Sequence, residues 1–310
     1  MLLPARGLGS IACSAQRSIK HENHMTSVQL RKMAGNPKFI PGIYNYCDRW
    51  CERCSLAHRC LNRAMELEED KEFRDDKDSE PGDPAKQSQE NEKLWQKVAA
   101  NLKLTLQMVK EDAKRRGVDL NDPALQKAVE EHQKKVRRRT ARHRPLVKAA
   151  KDYGMAVQKW FDKADKLFKG RGLELAKEAS MRPMDEAEEL KDLVEIIQWY
   201  HLFICVKLQR AIGAQAEAAL EEDPEIRALR SDGDGSAKIA LIALDRSLGA
   251  WGGLRKHFPE QEDTILDFQV QLARIRTAAE SVFPKARAFV RPGFDEGETR
   301  LELGARTRRG

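Results

Sequence analysis

Four of the six cysteines, Cys47, Cys51, Cys54 and Cys60, fall within fourteen residues, and they are the side chains whose type and spacing point most directly to chemistry. Thiolate is a soft, strongly donating ligand, and four of them satisfy either a tetrahedral zinc ion or the four irons of a cubane cluster. Cys47, Cys51 and Cys54 are spaced by four and three residues, so one face of a helix or helical turn would present them together, and Cys60 closes the set after a short loop. Asp48, Arg49, Glu52 and Arg53 make the segment too charged for ordinary core, which places metal binding ahead of a group of buried thiols. The gaps of three, two and five residues differ from the two close pairs of a zinc ribbon. A [4Fe-4S] cluster is therefore the expected cofactor, with Zn as the alternative.

Cys51-x2-Cys54-x5-Cys60 resembles the last three ligands of the iron-sulfur staple in RecB-like nucleases. The resemblance implies a cluster with a structural role. Nuclease chemistry does not follow from it, because the Asp and Glu-x-Lys strands of that family are not found and Glu189-Leu190-Lys191 lies in a helical stretch. Cys47-x3-Cys51-x2-Cys54 also resembles the cluster loop of radical S-adenosylmethionine enzymes, a family built on a parallel α/β barrel whose strands this chain lacks. Taken whole, Ile43 to Cys54, with its YNYCDRWCERC core, resembles the signature of an uncharacterised bacterial family with a helical remainder. That resemblance implies no particular activity.

Two further constellations are candidates for binding. In an apolar stretch, Glu195, His201, Lys207 and Arg210 follow one another, and Asp245 lies beside Leu241, Ile242 and Leu248. Ionised groups in such surroundings are costly unless paired, so these five residues form either a polar site between helices or ordinary interhelical salt bridges, the latter being the plainer expectation. Residues 134–151 hold nine Lys or Arg and no acid, including Arg137, Arg138, Arg139, Arg142 and Arg144. With a formal charge of +7, that stretch can meet phosphate, yet no nucleic-acid recognition motif or interleaved aromatic set accompanies it; a solvated basic face is expected ahead of a nucleic-acid partner. Asp232-Gly233-Asp234-Gly235-Ser236 opens like a calcium loop but lacks the later Gly and Glu, so it reads as a turn and helix cap. A di-iron carboxylate site is excluded by the absence of Glu-x-x-His pairs.

The elements that must position these groups are helices. Charged residues reach 34% and aromatics only 6%, which suits helices with solvated outer faces better than sheets, and the expected class is all-α: a bundle of about five helices with a small N-terminal cysteine-rich metal module. Residues 1–36 are expected as a disordered leader, 37–65 as the metal module, 66–93 as an acidic flexible linker, 94–290 as the bundle and 291–310 as a tail. The linker expectation rests on twelve acids against five bases over 66–93 and few apolar residues to offset ordering entropy. Apolar residues at helical spacing predict helices over 93–116, from Pro123 to a break before Pro145, from Leu146 to Gly170, from Met184 through 208, from Asp234 or Ser236 to Gly252-Gly253, and from Ile265 to Pro284.

No apolar run is long enough for a membrane span, and clustered cysteines differ from a secreted disulfide framework, so a cytoplasmic location is expected. The expected function is a metal-binding helical protein whose cluster serves as structural staple or redox sensor. The alternatives are a zinc-clipped interaction protein, with nucleic acid contacted through the basic helix, and a redox enzyme using the cluster. No catalytic residue is assigned, and the sequence leaves open whether the chain is an enzyme.

Overall fold

The computed structural model describes residues 26–72, 84–177, 182–230 and 232–295, and among them there are ten α-helices and no strand. The all-α class holds. The helix number expected from apolar periodicity, about five, is too low, because short or heavily charged helices carry no long apolar stripe to read.

The described residues form two compact units, one from residues 26–36 with 65–115 and one from residues 37–64 with 116–295. In the first, α1 (Ser27–Ala34) lies within the stretch expected as a disordered leader. It starts with a capping box in which the Thr26 hydroxyl accepts from the Gln29 N–H and the Gln29 side chain accepts from Thr26, satisfying two backbone donors that a helix start leaves open. Helix α2 (Leu61–Glu72) and the long α3 (Pro84–Arg115) extend from both sides into the segment expected as an acidic linker; residues 73–83 of it, like residues 1–25 and 296–310, lie outside the described residues. Residues 94–115, expected in the bundle, cluster with this first unit. Arg31 of α1 pairs with Glu111 of α3 at 3.3 Å.

The second unit holds the bundle. Helices α4 (Pro123–Ala141) and α5 (Arg144–Phe161) are separated by a turn at Arg142-His143, where Pro145 sits in the first turn of the new helix, the place a missing N–H costs least. Asp122 caps α4 through the Ala124 N–H. The stripe expected to run unbroken to Gly170 is divided by a turn after Phe161 into α5 and α6 (Asp165–Leu175). There follow α7 (Arg182–Ala218), α8 (Pro224–Arg230), α9 (Gly233–His257) and α10 (Glu262–Val282). Helix α9 begins after Asp232, with no side-chain cap from Asp234 or Ser236, and runs through Gly252-Gly253 rather than ending there; Leu193 of α7 packs directly over Gly253.

Helices α5, α7, α9 and α10 close a ring, α5 touching α7 and α10, and α9 touching the same two. Inside it lie Tyr153 and Val157 of α5, Ile197, Tyr200, Ile204 and Leu208 of α7, Leu241, Leu244 and Trp251 of α9, and Ile265 and Leu272 of α10, all buried. Burial of each such large side chain contributes roughly 1.5–3 kcal/mol. At the centre the Trp251 Nε1–H donates to the Tyr153 hydroxyl at 2.9 Å, and burial holds the Tyr153 phenol above its ordinary pKa.

Close approach of α5 to α7 depends on Gly154. A Cβ there would lie 2.6 Å from the His201 carbonyl oxygen and 2.9 Å from Leu202 Cδ2, and a backbone oxygen cannot rotate aside. Gly154→Ala is expected to destabilise the protein by about 1–3 kcal/mol through overpacking. Gly170→Ala, where a Cβ meets nothing within 4 Å, should be neutral or stabilising by up to about 1 kcal/mol. Thermal melts of the two variants side by side check the pair of outcomes.

Candidate functional site

The cysteine-bearing segment folds as a closed loop of 3-10 turns, Ile43–Asn45, Cys51–Arg53 and Ala57–Arg59, its ends tied by the Ile40 N–H donating to the Arg59 carbonyl at 3.0 Å. The helix face anticipated for Cys47, Cys51 and Cys54 is not formed. Arg49 takes a left-handed φ of 62°, which no helix continues, so Cys47 precedes the bend and Cys51 opens a separate turn that ends at Cys54. Asn62 holds the bend from outside: with its amide oxygen toward Arg49 it accepts from both terminal nitrogens, at 2.8 and 3.1 Å.

This path still brings the four cysteines to one place. Cys47, Cys51, Cys54 and Cys60 all border a single small cavity of about 20 Å³, closed also by Ile43, Tyr44 and Phe294. That volume admits about one water-sized group. Among the described residues, no three His, Cys, Asp or Glu side chains converge closely enough to hold one metal ion. Burial pushes the Cys47 thiol up in pKa, opposed by the Arg49 N–H and by the charges of Arg49 and Lys207. Lys207 of α7 is itself buried, and burial pulls its ammonium down.

A second, larger pocket of about 390 Å³ lies against the same loop, with Cys47 and Cys54 on its wall. The loop residue Asp48 is the hub of this face. Its Oδ1 accepts from the Trp50 N–H at 3.2 Å, and its Oδ2 accepts from the Tyr200 hydroxyl at 2.6 Å and from Arg246 Nη1 at 2.8 Å. Burial, and then the Asp48 carboxylate, raise the Tyr200 phenol above its ordinary pKa. Trp50 stacks on Trp199 with ring centroids 5.1 Å apart, and the Arg53 guanidinium lies 4.0 Å from the Trp50 ring while pairing with Asp192 and Glu195 of α7. On the other side Tyr46 packs on Phe289 and over Gly235 of α9, where a Cβ would come within 2.3 Å of the tyrosine ring.

The segment after α10 completes the walls. Phe294 borders both cavities, and Asp295 anchors it by accepting from Lys238 Nζ at 2.8 Å and from the Arg291 N–H at 2.9 Å. The tail expected from residue 291 is thus ordered packing as far as Asp295.

The polar residues singled out from the sequence are not brought together. Glu195 pairs with Arg53; His201 contacts the Gln198 carbonyl at 2.7 Å and Gln158 at 3.2 Å; Arg210 pairs with Asp232 at 2.5 Å; and Asp245 pairs with Arg276 and Arg287. Three of them meet the cysteine loop at separate points: Glu195 at Arg53, Arg210 at Asn45, and Lys207 through its charge on Cys47. Interhelical and loop-to-helix salt bridges replace the single polar site, because the charged residues of α7 point to different neighbours around its circumference. Arg137, Arg138 and Arg139 on α4, Arg142 in the turn after it and Arg144 at the start of α5 are all exposed. Sequence reasoning missed Asp48, Trp50, Tyr200, Arg246, Arg291 and Phe294. Asp48 and Trp50 were readable as residues interleaved with the cysteines; nothing local marks the other four.

Comparison with family models, curated proteins and solved structures finds no match to this chain. Among the described residues, no helix is long and apolar enough to cross a membrane.

The anchoring of Phe294 has a pH signature. Burial alone would raise the Asp295 carboxyl, but hydrogen bonds from Arg291 and Lys238 outweigh it and hold the group below the usual carboxylate range. A depressed folded-state pKa stabilises above the unfolded value and is lost as pH falls through the folded one. Asp295→Asn should therefore cost about 2–3 kcal/mol at neutral pH. The gap from the unmodified protein should narrow once pH drops below about 4, as urea titrations across an acid pH series would measure.

Proposed function

We propose that Cys47, Cys51, Cys54 and Cys60 hold a [4Fe-4S] cluster that clamps the loop 37–60 onto the helical bundle, acting as a structural staple whose redox state also tunes that docking. The observation that supports it is the common cavity bordered by all four cysteines, reached despite the break in the chain at Arg49.

The choice between metals rests on how thiolates surround each. A zinc ion needs its donors to converge on one point about 2.3 Å away, whereas a cubane takes one thiolate at each iron corner and keeps the sulfurs farther apart. The four cysteines share a cavity, and their gaps of three, two and five residues depart from the two close pairs of a zinc ribbon. The cavity of about 20 Å³ is smaller than a cubane, so taking one up requires the turns that carry the cysteines to move apart. When bound, the cluster supplies a rigid four-thiolate anchor and one-electron chemistry. Arg49 and Lys207 place positive charge at Cys47, offsetting the negative charge of ligating thiolates. A zinc-clipped interaction protein and a cluster-dependent redox enzyme remain the rival readings.

Anaerobically purified protein should show a broad visible charge-transfer band and about four irons and four sulfides per chain. Cys51→Ser should lose most of both and melt at lower temperature. One colourless zinc per chain would replace the cluster by a structural clip. Protein without metal, equal in stability to Cys51→Ser, would reject the staple altogether.

A further inference from the structure

We propose that the pocket beside the cysteine loop is a binding site for a small organic monocarboxylate with an apolar body, and that Arg246 is its anion anchor. The proposal concerns a ligand of the bundle face and does not depend on which metal the cysteines hold.

At about 390 Å³ the pocket lies in the size range of small-molecule sites, which combine mostly apolar walls with a few convergent polar groups. Ile196 of α7 and Ile239 and Ile242 of α9 supply the apolar wall. The charged lining is three guanidinium groups, Arg53, Arg246 and Arg291, against the single carboxylate of Asp48. Two of the three are already neutralised from outside the lining: Arg53 by Asp192 and Glu195, and Arg291 by Asp295.

Arg246 is different. Among the described residues its one carboxylate partner is Asp48, which it shares with the Tyr200 hydroxyl, and a single nitrogen, Nη1, makes both contacts, to Asp48 at 2.8 Å and to Tyr200 at 2.5 Å. Among the described residues, its Nε and Nη2 have no protein acceptor. A guanidinium edge in this state presents two parallel donors that match the two oxygens of a carboxylate. One uncommitted fork suits one negative charge; a phosphate ester, with more charge and more acceptors, would call for a second. The isoleucines and the Trp50 and Phe294 rings beside the fork favour an apolar remainder over a sugar or amino acid.

The test is isothermal titration of the metal-replete protein with hexanoate and 3-phenylpropionate, each paired with its uncharged amide, and with metal content measured on the same samples. The acids should bind, and the amides should bind at least about tenfold more weakly, which is about 1.4 kcal/mol. Ile242→Trp, which fills the pocket from its apolar wall one helical turn before Arg246, should abolish binding while circular dichroism stays unchanged. Arg246→Gln should reduce the acids to the level of the amides. The proposal is overturned if neither acid binds, if acid and amide bind alike, or if binding survives in folded Ile242→Trp. Carboxylate binding with this selectivity by a preparation that proves to contain no metal would uphold the pocket and count only against the cluster.

Discussion

The docking of a polar loop onto an apolar bundle rests on Asp48. Its side chain is only 23% exposed, and a carboxylate withdrawn from water is costly unless its oxygens are satisfied. Here they are, by one donor from the loop itself, the Trp50 N–H, and two from the bundle, Tyr200 of α7 and Arg246 of α9. The same carboxylate therefore sets the turn that follows Cys47 and the position of the loop against two helices. The Trp199 indole adds a bond to the Asp48 carbonyl at 2.9 Å, so main chain and side chain of one residue are both held from α7.

Other features fall into place around that hub. The left-handed backbone at Arg49 follows directly after it; backbone strain of this kind costs of order 1–3 kcal/mol and persists where the surroundings over-determine it. Trp50 is then delivered onto Trp199, Arg53 onto Trp50, and Tyr46 onto Phe289 and the bare backbone at Gly235. The cysteines are distributed along this path rather than along a helix. The cavity they share and the pocket next to it are two sides of one docking geometry, with Cys47, Asp48, Trp50, Cys54 and Phe294 bordering both.

A metal at the four cysteines would tie together points of the loop that the protein already holds by side-chain contacts. Such a staple adds to an ordered framework instead of creating one, unlike small domains that are unfolded without their metal. The cavity of the cysteines and the neighbouring pocket share Cys47, Asp48, Trp50, Cys54 and Phe294 in their walls.

The sequence alone determined the all-α class and the starts of α5, α7, α9 and α10 to within a turn, because apolar spacing is a local property that survives in one dimension; the ends of α5 and α7, expected at Gly170 and Leu208, fall at Phe161 and Ala218. The break before Pro145 was legible for the same reason. Helices α1, α6 and α8 were not, being short and without a long stripe, and the charged ends of α2 and α3 read as linker. Only the tertiary structure decided that Arg49 would bend the chain out of a helix, that Glu195, Lys207, Arg210 and Asp245 would each face a different neighbour, and that Asp48, Tyr200, Arg246 and Phe294 would meet. Those residues stand as far as 246 positions apart in number, from Asp48 to Phe294. Their chemistry arises from which faces of α7 and α9 the core burial leaves turned toward the loop, and that is a property of packing rather than of any local pattern.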